Sequence, residues 1–190
     1  YQAFGAGRYD IVYMSGNITH LDLMWDSPQE VEWFQRLAGL GRVVMLDRRG
    51  IGLSDRFTPG EAPPVEVLVE DIGAVMDAAG VTRPILLGSQ SAAQLVCLYA
   101  ASHPDRVRGL ATFAMWSHLA GRALQEWQTY LEWTESHFGS IESALNEVRD
   151  VQPSRAGDLD HLAWMARLHR SACSPGSFRP MVEVQMALDI

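Results

Sequence analysis

The residues most able to do chemistry sit in one stretch, Arg83-Pro84-Ile85-Leu86-Leu87-Gly88-Ser89-Gln90-Ser91-Ala92-Ala93-Gln94. A short apolar run stops at Gly88. Small residues follow, and a helical pattern then continues through Leu95, Tyr99 and Ala100. A strand that turns sharply into a helix through small residues lifts one apex side chain above the sheet, where a nucleophile can attack a carbonyl. Here the apex falls on Gln90. A carboxamide is a poor nucleophile, and a neighbouring base cannot activate it as it would a hydroxyl. A register shifted by one residue reads Ser89-Gln90-Ser91-Ala92-Ala93 and puts Ser91 at the apex instead. That shift mismatches both flanks by one residue.

Other chemistries are excluded more simply. Every basic residue is arginine, so Schiff-base chemistry and a phosphate loop, which both need a lysine amine, are ruled out. The net charge of −8 and pI of about 5.1 argue against a nucleic-acid surface. Gly50-Ile51-Gly52 follows a strand pattern, but the third glycine position is Asp55 and no helix opens there, so no dinucleotide loop is expected. Asp158, Asp160 and His161 lack metal-site spacing; neither a metal nor a cofactor is expected.

The elements that must position the apex follow from periodicity. Residues 9 to 16 and 42 to 47 read as buried strands, the elbow run as a third and 107 to 113 as a fourth. A helix opens after the capping Ser27 with Pro28 in its first turn, and a second carries Leu68, Ile72, Val75, Met76 and Ala79 on one face before Gly80. Strands alternating with helices imply a mainly parallel sheet covered on both faces. Beyond Trp116 the pattern turns wholly helical, near 119 to 138, 140 to 149, 158 to 172 and 178 to 189. The expected division is therefore a core over residues 1–116 and a helical cap over 117–190. The cap aromatics are expected mainly to pack rather than to line a pocket. In the turn from Asp47 to Arg56, Asp47, Arg49 and Asp55 are expected to form a salt-bridge network.

The 190 residues suffice for one domain, with 47% hydrophobic residues as in a globular chain. There is no membrane-length apolar run and no leader, and the cytoplasm is the expected location. The two cysteines, Cys97 and Cys173, do not fix the compartment. The opening at Tyr1 and the stop at Ile190 look like cut ends.

On these residues the chain resembles the α/β-hydrolase family. The likeness rests on Gly16 after the first strand pattern, Asp47-Arg48-Arg49-Gly50-Ile51-Gly52-Leu53-Ser54-Asp55, the elbow, and His103-Pro104-Asp105-Arg106-Val107. His20-Leu21-Asp22-Leu23-Met24-Trp25 narrows it to hydrolase-like domains often joined to adenylate or guanylate cyclases or to transcriptional regulators. The resemblance implies an α/β fold with a mainly parallel sheet, a helical cap and final strands lying beyond this chain. It implies hydrolysis of ester or similar acyl substrates. Counting back from His103-Pro104 again puts Gln90 at the nucleophile position. Oxyanion donors map to the amides of Asn17 and Ser91, and His20 and Trp116 fall near a ligand pocket. The family's acid and histidine fall past Ile190, so the chain as it stands is expected to be inactive. The other reading the resemblance leaves open is a non-catalytic module that binds a small apolar or acyl ligand and informs a fused cyclase or regulatory domain.

Overall fold

Alternation along the central strand shows how the sheet is buried. In β2 (Tyr9–Met14), Val12 and Met14 join one apolar cluster while Ile11 and Tyr13 join another. This two-residue period places a core on each face of the sheet. The computed structural model describes residues 1–16, 18–56, 58, 62–118 and 120–190. Five strands run in the order β1-β3-β2-β4-β5, with β1 (Gln2–Phe4), β3 (Gly41–Met45), β4 (Ile85–Ser89) and β5 (Gly109–Phe113) beside β2. The pairs β2–β3, β2–β4 and β4–β5 are parallel. Only β1 runs antiparallel, with Ala3 opposite Val44. The parallel core matches the sequence expectation. The three-residue β1 was not anticipated, being too short to show a period.

One face is covered by α3 (Val65–Ala78) and α4 (Gln90–Ser102). Leu68, Ile72 and Met76 of α3 and Leu95, Val96 and Tyr99 of α4 pack with Val12, Val44 and Leu86. The other face is covered by α1 (Leu21–Met24) and α2 (Pro28–Ala38), through Leu21, Met24, Phe34 and Leu37. Ser27 caps α2 by accepting from the Glu30 amide, and Pro28 takes the first helical position, where no donor is missed.

The rest of the chain is helical: α5 (Gly121–His137), α6 (Ile141–Val151), α7 (Leu159–Ala172) and α8 (Pro175–Met186). Ser140, Asp158 and Ser174 each cap the helix that follows. The last helix starts earlier than its periodicity suggests. Ser174-Pro175 is a strong start signal, and Pro180 is tolerated inside the helix.

The turn at 47–56 holds this helical layer to the sheet, but not as the sequence suggested. Arg49 pairs with Asp71 of α3 at 2.7 Å, not with Asp47 or Asp55. Asp47, 5% exposed, is instead a hydrogen-bond hub. Its carboxylate accepts from Thr19 Oγ1 at 2.6 Å, from the Leu21 amide at 3.0 Å and from the Leu53 amide at 2.9 Å. Gly52, at φ +58, leaves room for that carboxylate where a Cβ would collide with it. The Gly52 amide then donates to Ala172 O at 2.8 Å, Arg56 donates to the carbonyls of Ser171 and Ala172, and Ile51 packs with Leu131, Ala172 and Phe178.

Asp47→Ala would leave three donors without their acceptor and is expected to destabilise the protein by about 3 kcal/mol, given the penalty for buried unpaired donors. Asp47→Asn, which keeps one acceptor oxygen, should lose less. Urea unfolding midpoints of the two variants check this; equal losses would mean the carboxylate is not the hub.

Candidate functional site

The site begins with a close approach of backbone to backbone. A Cβ at Gly88 would lie 2.7 Å from Ala93 Cα and 2.5 Å from Val96 Cγ2, so only glycine lets β4 run directly under α4. Ala92 and Ala93 are fully buried at this contact. The chain makes its reversal at Gln90, which has φ 50. A left-handed conformation costs a residue with a Cβ about 1–2 kcal/mol, and such strain tends to gather at functional sites. The Gln90 side chain folds over the loop after β2: a Cβ on Gly16 would collide with Gln90 Oε1. Gly16 is itself fixed from behind by Arg48, whose Nη2 donates to the Gly16 carbonyl at 2.7 Å. Arg48 is 5% exposed, and burial lowers its pKa only to about 10, so it stays charged.

Above Gln90 lies a cavity of about 730 Å³ between the sheet ends and the helical layer. Its floor includes Ser15, Gly16, Gln90 and Ala114, and its walls come from α2 and α5–α8. Ala114, just past β5, has φ 53, the second strained non-glycine residue bordering the cavity. Trp116 and Trp127 lie 5.4 Å apart, and Trp127 meets Tyr130 edge-on, also at 5.4 Å. These aromatics line the cavity as well as packing. A smaller hollow of about 260 Å³ lies between the 47–56 turn and α3. Among its charged groups, Arg49 and Asp71 pair with each other, and Asp47 and Arg48 are hydrogen-bonded to the chain around them.

The structure brings Gln90 and Trp116 to the same cavity. Ser91 is 1% exposed in the first turn of α4 and is not among the residues lining the cavity. His20 also stands apart from it: its Nδ1 accepts from the Leu23 amide at 3.4 Å and caps α1. Asn17 lies outside the described residues. Sequence reasoning missed Glu30, Glu147 and His169, which reach the cavity from α2, α6 and α7. Each sits in an ordinary amphipathic helix, and only the packing of the helices shows which face meets the cavity.

Glu147 Oε2 and His169 Nε2 are 3.4 Å apart. Burial, then Asp150, raises Glu147 to about 7; burial, then Arg170, lowers His169 to about 4. Between these values both groups are neutral, so the contact is not an ion pair there. In the unfolded chain Glu147 ionises near 4.5 and His169 titrates near 6.5. Between about pH 4.5 and 7 the folded state therefore holds an extra proton on Glu147, and stability falls as pH rises. Between about pH 4 and 6.5 the unfolded state holds the extra proton on His169, and stability rises with pH.

The two slopes oppose each other. Glu147→Gln should leave a melting midpoint that climbs from about pH 4 to 6.5, and His169→Asn one that drops from about pH 4.5 to 7. Melting curves across that range decide it; the same slope in both variants would refute the assignment. A second expectation concerns the floor. Gly16→Ala must push the Gln90 carboxamide aside, so its cost should be relieved in a Gln90→Ser background, with a coupling of about 1 kcal/mol in a double-mutant cycle. Additive losses would mean the carboxamide does not hold that position.

Comparison with known proteins fits this geometry. A family model described as the alpha/beta hydrolase fold matches residues 18–140. Epoxide hydrolase B of Mycobacterium tuberculosis is 34% identical over 89 residues, 46% of this chain and 24% of that protein. The putative carbamate hydrolase RutD of Caulobacter segnis is 31% identical over 112 residues, 59% of this chain and 40% of that protein. The matched stretch is thus well under half the length of these curated relatives. Among solved structures, an enol-lactonase from Burkholderia xenovorans LB400 superposes with a TM-score of 0.74 at 20% identity, covering 99% of this chain and 70% of that one. A hydrolase from Pseudomonas aeruginosa gives 0.75 at 18% identity, covering 99% and 68%. At these identities the structural likeness speaks to the fold alone.

Proposed function

The chain belongs to the alpha/beta hydrolase fold family, and from that premise we propose that it binds a small molecule in the cavity above Gln90 without carrying out acyl transfer at the elbow. The observation that carries this reading is Gln90 itself. It occupies the strained junction between β4 and α4, borders the cavity, and lays its carboxamide against Gly16. A carboxamide there can donate and accept hydrogen bonds but cannot form an acyl intermediate. The reading assigns residues 1–116 to the core and 117–190 to a cap that closes over the ligand.

The mechanism is then one of binding. Trp116, Trp127 and Trp164 supply apolar surface, and the floor supplies hydrogen bonds. Binding energy that a hydrolase would direct at a transition state goes here into holding the ground state. The likeness of His20-Leu21-Asp22-Leu23-Met24-Trp25 to cyclase- and regulator-linked domains supports a cytoplasmic sensory role, in which occupancy is passed to a neighbouring domain. Hydrolysis of an acyl substrate through Ser91 is the competing reading. It requires a residue buried to 1% exposure to reach a cavity that it does not line.

The deciding test uses a serine-directed fluorophosphonate on the intact protein. No covalent adduct is expected on the wild type. An adduct on Ser91 would overturn the reading and restore a serine hydrolase. Gln90→Ser is expected to turn labelling on if the rest of the protein supplies an acid and a histidine. Silence in a folded Gln90→Ser protein would show that no proton relay serves the elbow.

A further inference from the structure

The cavity's charge pattern differs from that of the rest of the molecule. The chain has 15 basic side chains, all arginine, yet none lines the cavity, whereas Glu30, Glu126, Glu147 and Asp150 do. Glu126 is answered on the outer surface by Arg122 at 2.7 Å. Among the described residues Glu30 and Asp150 have no ion-pair partner, and Glu147 faces only His169. Elsewhere the arginines neutralise carboxylates in pairs: Arg36 with Glu32, Arg106 with Asp77, Arg167 with Asp26 and Arg179 with Glu135. Above about pH 7, where Glu147 ionises, the cavity gathers Glu30, Glu147 and Asp150 beside apolar walls with no arginine answering them among the described residues, and the apolar surface strengthens their field.

A second observation points the same way. His169 borders the cavity, is 3% exposed, and among the described residues has no hydrogen-bond partner at Nδ1. A neutral imidazole that donates Nε2–H to the Glu147 carboxylate keeps Nδ1 as a bare acceptor. Nδ1 is closed to water as the ring stands, so a ligand N–H reaches it by a turn of the ring and then removes the penalty of an acceptor without a donor. The aromatic group Trp116, Trp127 and Tyr130 offers ring faces that attract a cation. A metal ion does not suit this arrangement: among the described residues no three His, Cys, Asp or Glu groups converge on one point. The fitting cation is therefore organic, with its charge at one end of an apolar body.

Resting on the ligand-binding reading above, we propose that the cavity takes a small organic ligand bearing a protonated amine, its N–H groups answered by Glu147 and His169 and its apolar body by the tryptophan walls. The sequence expectation of an apolar or acyl ligand is thereby narrowed to an aminated one. Glu30, reaching the cavity from α2, adds to the attraction from the sheet side.

Calorimetric titration of the intact protein with three probes of one length tests this: hexylammonium, 1-hexanol and hexanoate. The work is done at about pH 8, above the value of about 7 that burial gives Glu147. Hexylammonium is expected to bind about tenfold tighter than 1-hexanol, with hexanoate weakest. Glu147→Gln should erase most of that margin. Glu30→Gln should shrink it too, and serves if the first variant does not fold. Equal binding of hexylammonium and 1-hexanol by the wild type overturns the amine inference and leaves the ligand-binding reading standing. So does a margin undiminished in both variants. No binding of any probe overturns both.

Discussion

The structure depends on one steric constraint, the absence of a side chain at Gly88. With no Cβ there, β4 passes directly beneath α4, and Ala93 closes on the strand backbone. That contact leaves no length for a relaxed loop. The chain must reverse within one residue, and the residue doing so takes a left-handed φ. The place of Gln90 at the cavity floor is set by this geometry. β4 also pairs with β2 on one side and β5 on the other, so Met14 lies opposite Gly88 and Phe113 opposite Ser89. The ends of three parallel strands thus stop at a common level. An open parallel sheet puts its binding crevice at the carboxyl ends of its strands.

The 47–56 turn does the complementary work of fixing what lies above that crevice. Asp47 holds the loop after β2 through Thr19 and Leu21, and Arg48 holds Gly16. On its far side the same turn receives Ala172 and packs Ile51 into the helical layer. Asp47, Arg48 and Arg56 serve mainly backbone groups, and Arg49 turns outward to Asp71, rather than pairing with each other. This is the better use of buried charge: a carboxylate that accepts several hydrogen bonds offsets its desolvation, while an isolated buried ion pair often does not. The sheet, the floor and the roof of the cavity therefore share one tie point.

Much of this was legible in the chain because it is local. Ser27-Pro28, Gly80 and the run from Ile85 to Ala93 state their elements through caps, breakers and small residues within a few positions. The parallel sheet followed from strands alternating with helices. What was illegible is what depends on distance. β1 exists because Phe4 packs against Trp25 and Phe34, contacts that no short window contains. Arg49 chose Asp71 over its neighbours Asp47 and Asp55 because α3 lies alongside the turn. The acidic lining of the cavity was invisible for the same reason. Glu30, Glu147 and Asp150 each look like solvent-facing helix residues until their two helices, α2 and α6, are brought to one cavity. His20 was misleading in the opposite sense: its place in the chain suggested a ligand contact, while its ring serves the helix it starts.

Strain at Gln90 is often read as a mark of chemistry, yet here cause and use can be separated. The left-handed conformation is imposed by Gly88, Ala92 and Ala93, and it would be imposed on any residue at that position. It therefore outlasts a change of side chain. A fold whose elbow is dictated by small neighbours can exchange a hydroxyl for a carboxamide with little rearrangement of the backbone. What changes is the reach of the group at the apex. A glutamine is long enough to lie against Gly16 and occupy space that a shorter side chain would leave open. On the proposed reading the cavity keeps its walls and loses only the atom that would attack. On that same reading, the single exchange leaves binding as the remaining activity.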